Sequence, residues 1–179
     1  SAFIYSQDKG AMRSFLKDLP SPRWSIIDNA EKVSTFPVIA KAISGGYDGR
    51  GVWKISDREM LTEVISSNPQ LLIEELIEFD CEIAVMVARS PHGQVSTWAV
   101  THTVQEDGIC VRTIAPAQSI SRIVGEKAAS LSITIAQKVG LVGVMAVEFF
   151  VKGEDVFINE LAMRPHNSGH WTIEGSVTS

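Results

Sequence analysis

Two apolar segments late in the sequence constrain the fold most, because each of them carries one acidic residue. They run from Val142 to Val151 and from Val156 to Leu161, with Gly153-Glu154-Asp155 between them. Apolar runs of this length around a glycine-containing turn are typical of a β-hairpin. If the three intervening residues form the loop, Glu148 lies directly opposite Glu160, with facing Cβ atoms roughly 5 Å apart.

Two carboxylates that face each other in apolar surroundings repel, and their desolvation is costly unless a cation lies between them. Oxygen ligands of this type suit Mg²⁺ that is shared with nucleotide phosphates, so we predict a metal site on Glu148 and Glu160. Two other interpretations stay open at this point. The strands can expose this face to solvent, or the acids can form a glycosidase-type pair, although no aromatic platform for a sugar accompanies them.

The remaining patterns predict an α+β fold. Helical spacing of apolar residues occurs in Gln7–Leu19 and Glu126–Val139, and Ser56 or Asp57 is expected to cap a short helix that continues to Val64. The first strand candidates are Phe36–Ala42 and Val52–Ile55, and the region after Glu82 is mostly β. Because strands follow one another with few helices between them, antiparallel pairing is favoured over a βαβ repeat.

Composition excludes several classes of protein. Hydrophobic residues make up 45% and charged residues 21%, which excludes a disordered or fibrous chain. A net charge of −5 argues against a protein that binds nucleic acid phosphates. The longest apolar run, Leu141–Val147, is too short to span a bilayer, and no secretory leader opens the sequence. Cys81 and Cys110 make neither a disulfide framework nor a metal motif, so we expect a protein of the reducing cytoplasm.

A glycine-rich segment follows the strand that ends near Lys41. It has four glycines in seven residues and reads Gly45-Gly46-Tyr47-Asp48-Gly49-Arg50-Gly51. A Walker loop or a Rossmann fingerprint requires a helix after the glycines, whereas here a strand precedes and a strand follows. We therefore predict a flap at a hairpin tip that binds phosphates through backbone N–H groups, with the Lys41 amine as a point charge. Tyr47 and Arg50 are then available for a second anion, and a flexible surface hairpin is the alternative.

The segment after the second acid strand is rich in hydrogen-bond donors, and it reads Arg164-Pro165-His166-Asn167-Ser168-Gly169-His170-Trp171. The Arg164 guanidinium offers a planar fork for a small oxyanion, and His166 and Asn167 can donate or accept beside it. A zinc site on His166 and His170 lacks cysteines or a third well-spaced ligand. Because the segment directly follows the metal strand, it predicts the pocket of a second substrate. A hydrogen-bonded loop anchor is the alternative.

The order of these residues resembles that of the 5-(carboxyamino)imidazole ribonucleotide synthase family of ATP-grasp ligases. The resemblance covers nearly the whole chain and rests on Lys41, the loop GGYDGRG, Glu74-Glu75-Leu76-Ile77, Glu82, Glu148, Asn159-Glu160 and RPHNSGHW. Its most specific part is the tail RPHNSGHWTIE, because ATP-grasp ligases at large share only the lysine, the acids and the Asn-Glu pair.

The resemblance implies an ATP-grasp fold, in which ATP lies between two α+β lobes with antiparallel sheets. It implies Mg²⁺ on Glu148 and Glu160 with Asn159 nearby, and ribose hydroxyls on Glu82. Arg13 falls where the family usually carries a basic residue near the ATP. The adenine would lie against Glu74, Glu75, Leu76 and Ile77.

The resemblance also implies the second and third substrates, bicarbonate and aminoimidazole ribonucleotide. Arg164, His166 and Asn167 match positions that hold bicarbonate or carboxyphosphate. Tyr47 and Arg50 match positions near the phosphate of the ribonucleotide. The family often has a histidine shortly before the Asp-Gly turn, and Gln105 stands there in this chain, which departs from the pattern.

The implied activity is the ATP-dependent conversion of bicarbonate and aminoimidazole ribonucleotide to 5-(carboxyamino)imidazole ribonucleotide, ADP and phosphate, through carboxyphosphate, in purine biosynthesis. We expect a leading helix and connection at 1–35, a small lobe with the flap at 36–78 and a large lobe at 79–179. The N-terminal and C-terminal family domains are expected to be missing, so that the chain alone hydrolyses ATP slowly at most. The intact enzyme is expected to be a homodimer. The alternatives are another ATP-grasp ligase that activates an organic carboxylate, and a non-catalytic module that binds Mg-ATP.

Overall fold

The computed structural model describes residues 2–45, 50–106, 108–118 and 120–176. The predicted flap residues Gly46, Tyr47, Asp48 and Gly49 lie outside this described part of the chain. The described α-helices are α1 Ile4–Gln7, α2 Lys9–Phe15, α3 Arg58–Ser67, α4 Arg122–Lys138 and α5 Thr172–Gly175. Short 3₁₀ turns occur at Ala30–Lys32 and Asn167–Gly169. Among the described residues, no helix combines the length and the apolar composition needed to cross a membrane.

The strands of the described residues form two antiparallel sheets. The first has the order β1-β4-β2-β3, and the second has the order β10-β9-β5-β7-β8 with β6 paired to β5. The strands are β1 Trp24–Ile27, β2 Val38–Ala42, β3 Val52–Ile55, β4 Leu71–Glu75, β5 Cys81–Arg89, β6 Val95–Thr97, β7 Thr101–Glu106, β8 Ile109–Ile114, β9 Gly143–Lys152 and β10 Asp155–Ala162. The predicted α+β class with antiparallel sheets is therefore confirmed.

Each sheet has its own hydrophobic core. The first core lies between the first sheet and α3, which contributes Leu61, and the second lies between the second sheet and α4. The segment before residue 36 contributes to both, because Met12 and Leu16 join the second core while Ile27 joins the first. The proposed division of the chain at residues 35 and 78 stays a prediction, and the leading segment is more than a connection.

The two long predicted helices begin at different residues in the structure, because a side-chain cap sets each start. The helix predicted at Gln7–Leu19 is divided, since the Asp8 carboxylate accepts a 2.7 Å hydrogen bond from the Ala11 N–H and begins α2. The helix predicted from Glu126 begins one turn earlier, where the Ser121 hydroxyl accepts from the Val124 N–H. The first of these caps places Lys9 at the first position of α2.

Candidate active site

A cleft of about 700 Å³ is lined by residues of both sheets. Of the predicted site residues, it is lined by Lys41, Glu74, Glu75, Leu76, Ile77, Glu82, Glu148, Asn159, Glu160, Arg164, His166 and Asn167. Gln105, which stands in place of the expected histidine, lines it as well. The sequence therefore located most of the residues that come together here, from positions more than 120 residues apart.

The facing acids are present, but they reach their register by a different route from the predicted one. The turn between β9 and β10 has two residues rather than three, so Lys152 pairs with Asp155 and not with Val156. The register then shifts by one residue between Ile158 and Glu160, and Glu160 lies opposite Glu148 as predicted. The extra residue in this bulge is Asn159.

Each of the paired acids has a cationic or hydrogen-bonding neighbour. The Oε1 atom of Glu148 lies 2.8 Å from Nε2 of His166, and Oε1 of Glu160 lies 3.7 Å from Nζ of Lys9. The Glu148 side chain is 22% exposed and that of Glu160 is 38% exposed, so the pair is partly covered rather than freely hydrated. The interpretation of both acids as simple surface residues is therefore not favoured.

A third acid, Glu82, adds to the negative charge around Glu148 in the cleft. Burial raises the pKa of Glu82 to about 7, the charge of Glu148 adds to the increase, and Lys41 opposes it. No group of three or more His, Cys, Asp or Glu side chains gathers as a ready metal site within the described part of the chain. Two facing carboxylates in a region of excess negative charge fit Mg²⁺, which commonly takes one or two protein carboxylates together with phosphate oxygens.

A buried cluster of charges adjoins these acids. The Nζ atom of Lys41 lies 2.8 Å from Oε2 of Glu74 and donates to Oδ1 of Asn159 over 2.9 Å. The Nε atom of Arg13 donates to Oε1 of Glu74 over 2.6 Å. The side chains of Arg13, Lys41 and Glu74 are 1%, 7% and 2% exposed. Two cations and one carboxylate leave a net positive group at the edge of the cleft, which suits an anion.

The pKa shifts of this cluster have identifiable causes. Burial lowers the pKa of Lys41, and the charge of Glu74 offsets part of that decrease. Burial acts to raise the pKa of Glu74, but Lys41 and Arg13 outweigh it and hold this pKa below its ordinary value. The carboxylate of Glu74 is therefore ionised and fixed between two cations.

Arg13 does not line the cleft. Its guanidinium donates to Glu74 and to the backbone carbonyls of Ile158 and Asn159, over 2.7 and 3.0 Å for the two carbonyls. The expectation that Arg13 lies near the ATP stays a prediction, although its guanidinium is engaged by these three protein contacts. The cation of α2 that approaches the acids is Lys9, one helical turn earlier on the same face. The Asp8 cap, which places Lys9 at the first position of α2, was the signal in the sequence.

The cleft has an aromatic wall that was not predicted from the sequence. Phe79 stacks on Phe150 with ring centroids 4.7 Å apart and an interplanar angle of 13°. Both rings line the cleft. The signal was the period of two along β9, because Phe150 lies two residues after Glu148 and shares its face.

The donor-rich tail is partly an anchor and partly exposed to the cleft. The Trp171 indole N–H donates to the Thr101 hydroxyl over 3.2 Å, which ties the tail to β7. Nη1 of Arg164 donates to the backbone carbonyl of Pro165, and the Arg164 side chain lines the cleft. Trp171 therefore anchors the loop, while Arg164 lines the cleft and is available to a substrate.

The glycine-rich segment is seen only at its base. β2 and β3 pair antiparallel, with Lys41 opposite Val52, so a strand precedes and a strand follows the loop as predicted. Gly45 and Gly51 have φ values of 78° and 75°, which favour glycine. Gly45, Arg50 and Gly51 do not line the cleft as described, and their phosphate contacts stay a prediction.

The sequence and the fold are similar to those of known proteins. The family model of the ATP-grasp domain matches residues 15–179. The N5-carboxyaminoimidazole ribonucleotide synthase of Corynebacterium ammoniagenes is 41% identical over 196 residues, which cover 100% of this chain and 48% of that protein. The chain thus spans about half the length of the curated relatives it matches.

Two solved structures superpose closely on the fold. An ADP complex of N5-carboxyaminoimidazole ribonucleotide synthetase gives a TM-score of 0.87 at 28% identity, covering 95% of this chain and 48% of that one. The synthase of Aspergillus clavatus in complex with ADP and 5-aminoimidazole ribonucleotide gives a TM-score of 0.83 at 26% identity, covering 97% of this chain and 48% of that one.

Proposed function

Because this chain belongs to the ATP-grasp family, we propose that it is the ATP-binding region of an enzyme that carboxylates aminoimidazole ribonucleotide with bicarbonate and ATP. The observation that carries the proposal is the contact between His166 and Glu148, 2.8 Å long. It joins the acid pair, which fits a metal and its phosphates, to the loop that presents Arg164. The similarity to known synthases extends over nearly the whole of this chain, and one of them was solved with ADP and the ribonucleotide. This similarity supports the same substrates.

The charges of the cleft support one orientation of the nucleotide. The phosphates would lie between the positive cluster around Lys41 and the acids Glu148 and Glu160, with the glycine-rich loop 45–51 over them. The base would lie against the apolar wall of Phe79 and Phe150 and the segment 74–77. Glu82, which lines the cleft on β5, would then meet the ribose hydroxyls.

Mg²⁺ held by Glu148 and Glu160 would supply neutralising charge to the phosphate oxygens when bound. Arg164 and Asn167 would hold bicarbonate so that one of its oxygens attacks the γ-phosphorus of ATP, and ADP leaves as the bond from the γ-phosphorus to the bridging oxygen breaks. The carboxyphosphate formed releases phosphate and CO₂, and the amine of the ribonucleotide forms the new C–N bond with loss of a proton. The donors of the tail would lie where negative charge develops during phosphate transfer to bicarbonate.

The test is phosphate release from ATP in the protein that carries this region, with bicarbonate and aminoimidazole ribonucleotide added separately and together. We expect release that depends on bicarbonate and carboxylated ribonucleotide only when both are present. Release that depends on formate or an amino acid instead would indicate another ATP-grasp ligase. Mg-ATP binding with no acceptor-dependent release would indicate a nucleotide-binding module.

Several finer points remain predictions within this proposal. They are the identity of the metal as Mg²⁺, bicarbonate as the carbon source, a homodimeric enzyme and a cytoplasmic location. The free thiols of Cys81 and Cys110 are consistent with a reducing compartment.

A further inference from the structure

Four side chains from four different elements meet at the edge of the cleft, and three of them line it. Arg13 comes from α2, Lys41 from β2, Glu74 from β4 and Asn159 from the bulge in β10. β2 and β4 belong to the first sheet and β10 to the second, so the group connects the two sheets. Within it, Lys41 alone both lines the cleft and carries a positive charge.

We propose that Arg13 is a positioning residue, which fixes the amine of Lys41 at the edge of the cleft without touching the nucleotide. It acts through both partners of that amine, Glu74 and Asn159. The inference rests on the proposed function, because it assigns Lys41 to the phosphates of bound ATP.

The geometry of the guanidinium carries the argument. Its three contacts go to Oε1 of Glu74 and to the carbonyl oxygens of Ile158 and Asn159. The first contact leaves Oε2 of Glu74 for Lys41, at 2.8 Å. The other two hold the backbone of the bulge, which presents Oδ1 of Asn159 to the same amine at 2.9 Å. One planar fork therefore sets the position of both acceptors.

The amine of Lys41 has three N–H donors, and Glu74 and Asn159 take two of them. Among the contacts of the described residues, one donor of this amine remains for a phosphate oxygen. If the fork is lost, the carboxylate of Glu74 is free to rotate and the bulge is free to shift, so the amine loses its fixed position. Lysine at position 13 retains the charge but cannot meet three acceptors in one plane.

The first experiment is a double-mutant cycle on Mg-ATP binding by calorimetry, with Arg13→Lys, Lys41→Met and the double variant. We expect Arg13→Lys to weaken binding by about tenfold, within the range of coupling seen in one hydrogen-bond network. The double variant should bind no more weakly than Lys41→Met alone. Losses that multiply, or wild-type affinity in Arg13→Lys, would overturn the proposal.

The second experiment needs no nucleotide. The rate at which acetic anhydride acetylates Lys41 is measured by peptide mass spectrometry in wild type, Arg13→Lys and Glu74→Gln. We expect both variants to react severalfold faster at Lys41, while the exposed Lys127 in the same molecule reacts at an unchanged rate. An unchanged rate at Lys41 in both folded variants would mean that Arg13 only stabilises the fold.

Arg89→Lys is the matched control. The Arg89 guanidinium donates to the backbone carbonyl of Leu141 at the far end of β5 and does not line the cleft. This variant should change the melting temperature without changing Mg-ATP affinity or the Lys41 rate. If the wild-type chain binds no Mg-ATP, the proposed function fails and the role of Lys41 toward phosphates fails with it. If the wild type binds while Arg13→Lys behaves like Arg89→Lys, only the present inference fails.

Discussion

Nε2 of His166 lies 2.8 Å from Oε1 of Glu148, while Nδ1 of the same ring accepts a 3.3 Å hydrogen bond from the Ser168 backbone N–H. Because an ionised carboxylate can only accept, Nε2 of the imidazole is the donor to Glu148. The loop after β10 is therefore tied to the middle of β9. This contact holds the acid pair and the tail, whose residues are proposed to bind the oxyanion, in one arrangement.

The acid pair predicts a metal-dependent loss of ATP affinity. Glu148→Gln and Glu160→Gln each remove one charged oxygen ligand while keeping the size of the side chain. We expect each variant to bind ATP at least about tenfold more weakly in Mg²⁺ buffer, the scale on which metal sites respond to loss of supporting groups. Titration calorimetry in Mg²⁺ and in metal-free buffer checks this.

The metal-free titration is the control for the acid pair. Without a divalent cation, removing negative charge beside the phosphates should leave ATP affinity unchanged or improve it. Equal losses in both buffers would mean that the acids act on the nucleotide without a metal. Unchanged affinity in both would remove the acids from the ATP site.

Arg164 predicts a separation of binding from chemistry. Arg164→Lys keeps the charge but loses the planar fork, so a bidentate contact with a small oxyanion is lost. We expect bicarbonate-dependent phosphate release to fall about 10²-fold, the effect of removing one oxyanion donor, with Mg-ATP affinity unchanged. Near-normal release in this variant would mean that Arg164 serves the loop alone, through its contact with the Pro165 carbonyl.

The sequence predicted the acid pair, the strand-loop-strand arrangement and the tail, because each depends on local pattern. The facing of Glu148 and Glu160 was predicted by counting residues back from a three-residue loop. The turn is one residue shorter, and the extra residue at the Asn159 bulge compensates for it, so the register at the acids is the predicted one. Contacts between distant segments could not be predicted in this way. The burial of Arg13 depends on Glu74, 61 residues away, and on carbonyls 145 and 146 residues away, which no local pattern encodes.

The aromatic wall predicts a base-stacking contribution. Phe79 is 41% exposed and stacks on Phe150 in the cleft. We expect Phe79→Ala to weaken Mg-ATP binding by about 1–3 kcal/mol, the usual contribution of an aromatic ring that stacks on a base. Phe79→Tyr keeps the ring and should bind like wild type. Calorimetry on both variants checks this, and equal affinity of Phe79→Ala and wild type would place the base elsewhere.

Glu82 predicts how stability depends on pH in the absence of metal and nucleotide. Its pKa is raised to about 7 in the folded protein, chiefly by burial, from an ordinary value of 4.5. Between these values the folded state binds a proton that the unfolded state does not, so this contribution to stability is complete below pH 4.5 and is lost as the pH rises through 7. After allowance for the partial exposure of the side chain, the contribution is about 1–2 kcal/mol.

The expected result is therefore a difference between two pH profiles measured by urea denaturation. From pH 5 to pH 8, the free energy of unfolding of wild type should fall relative to that of Glu82→Gln, because glutamine cannot ionise and avoids the charge repulsion with Glu148. Glu126→Gln, a substitution at an exposed position on α4, should follow the wild-type profile. Parallel profiles for wild type and Glu82→Gln would mean that Glu82 ionises normally in the folded protein, and that the cleft carries less uncompensated negative charge than its geometry indicates.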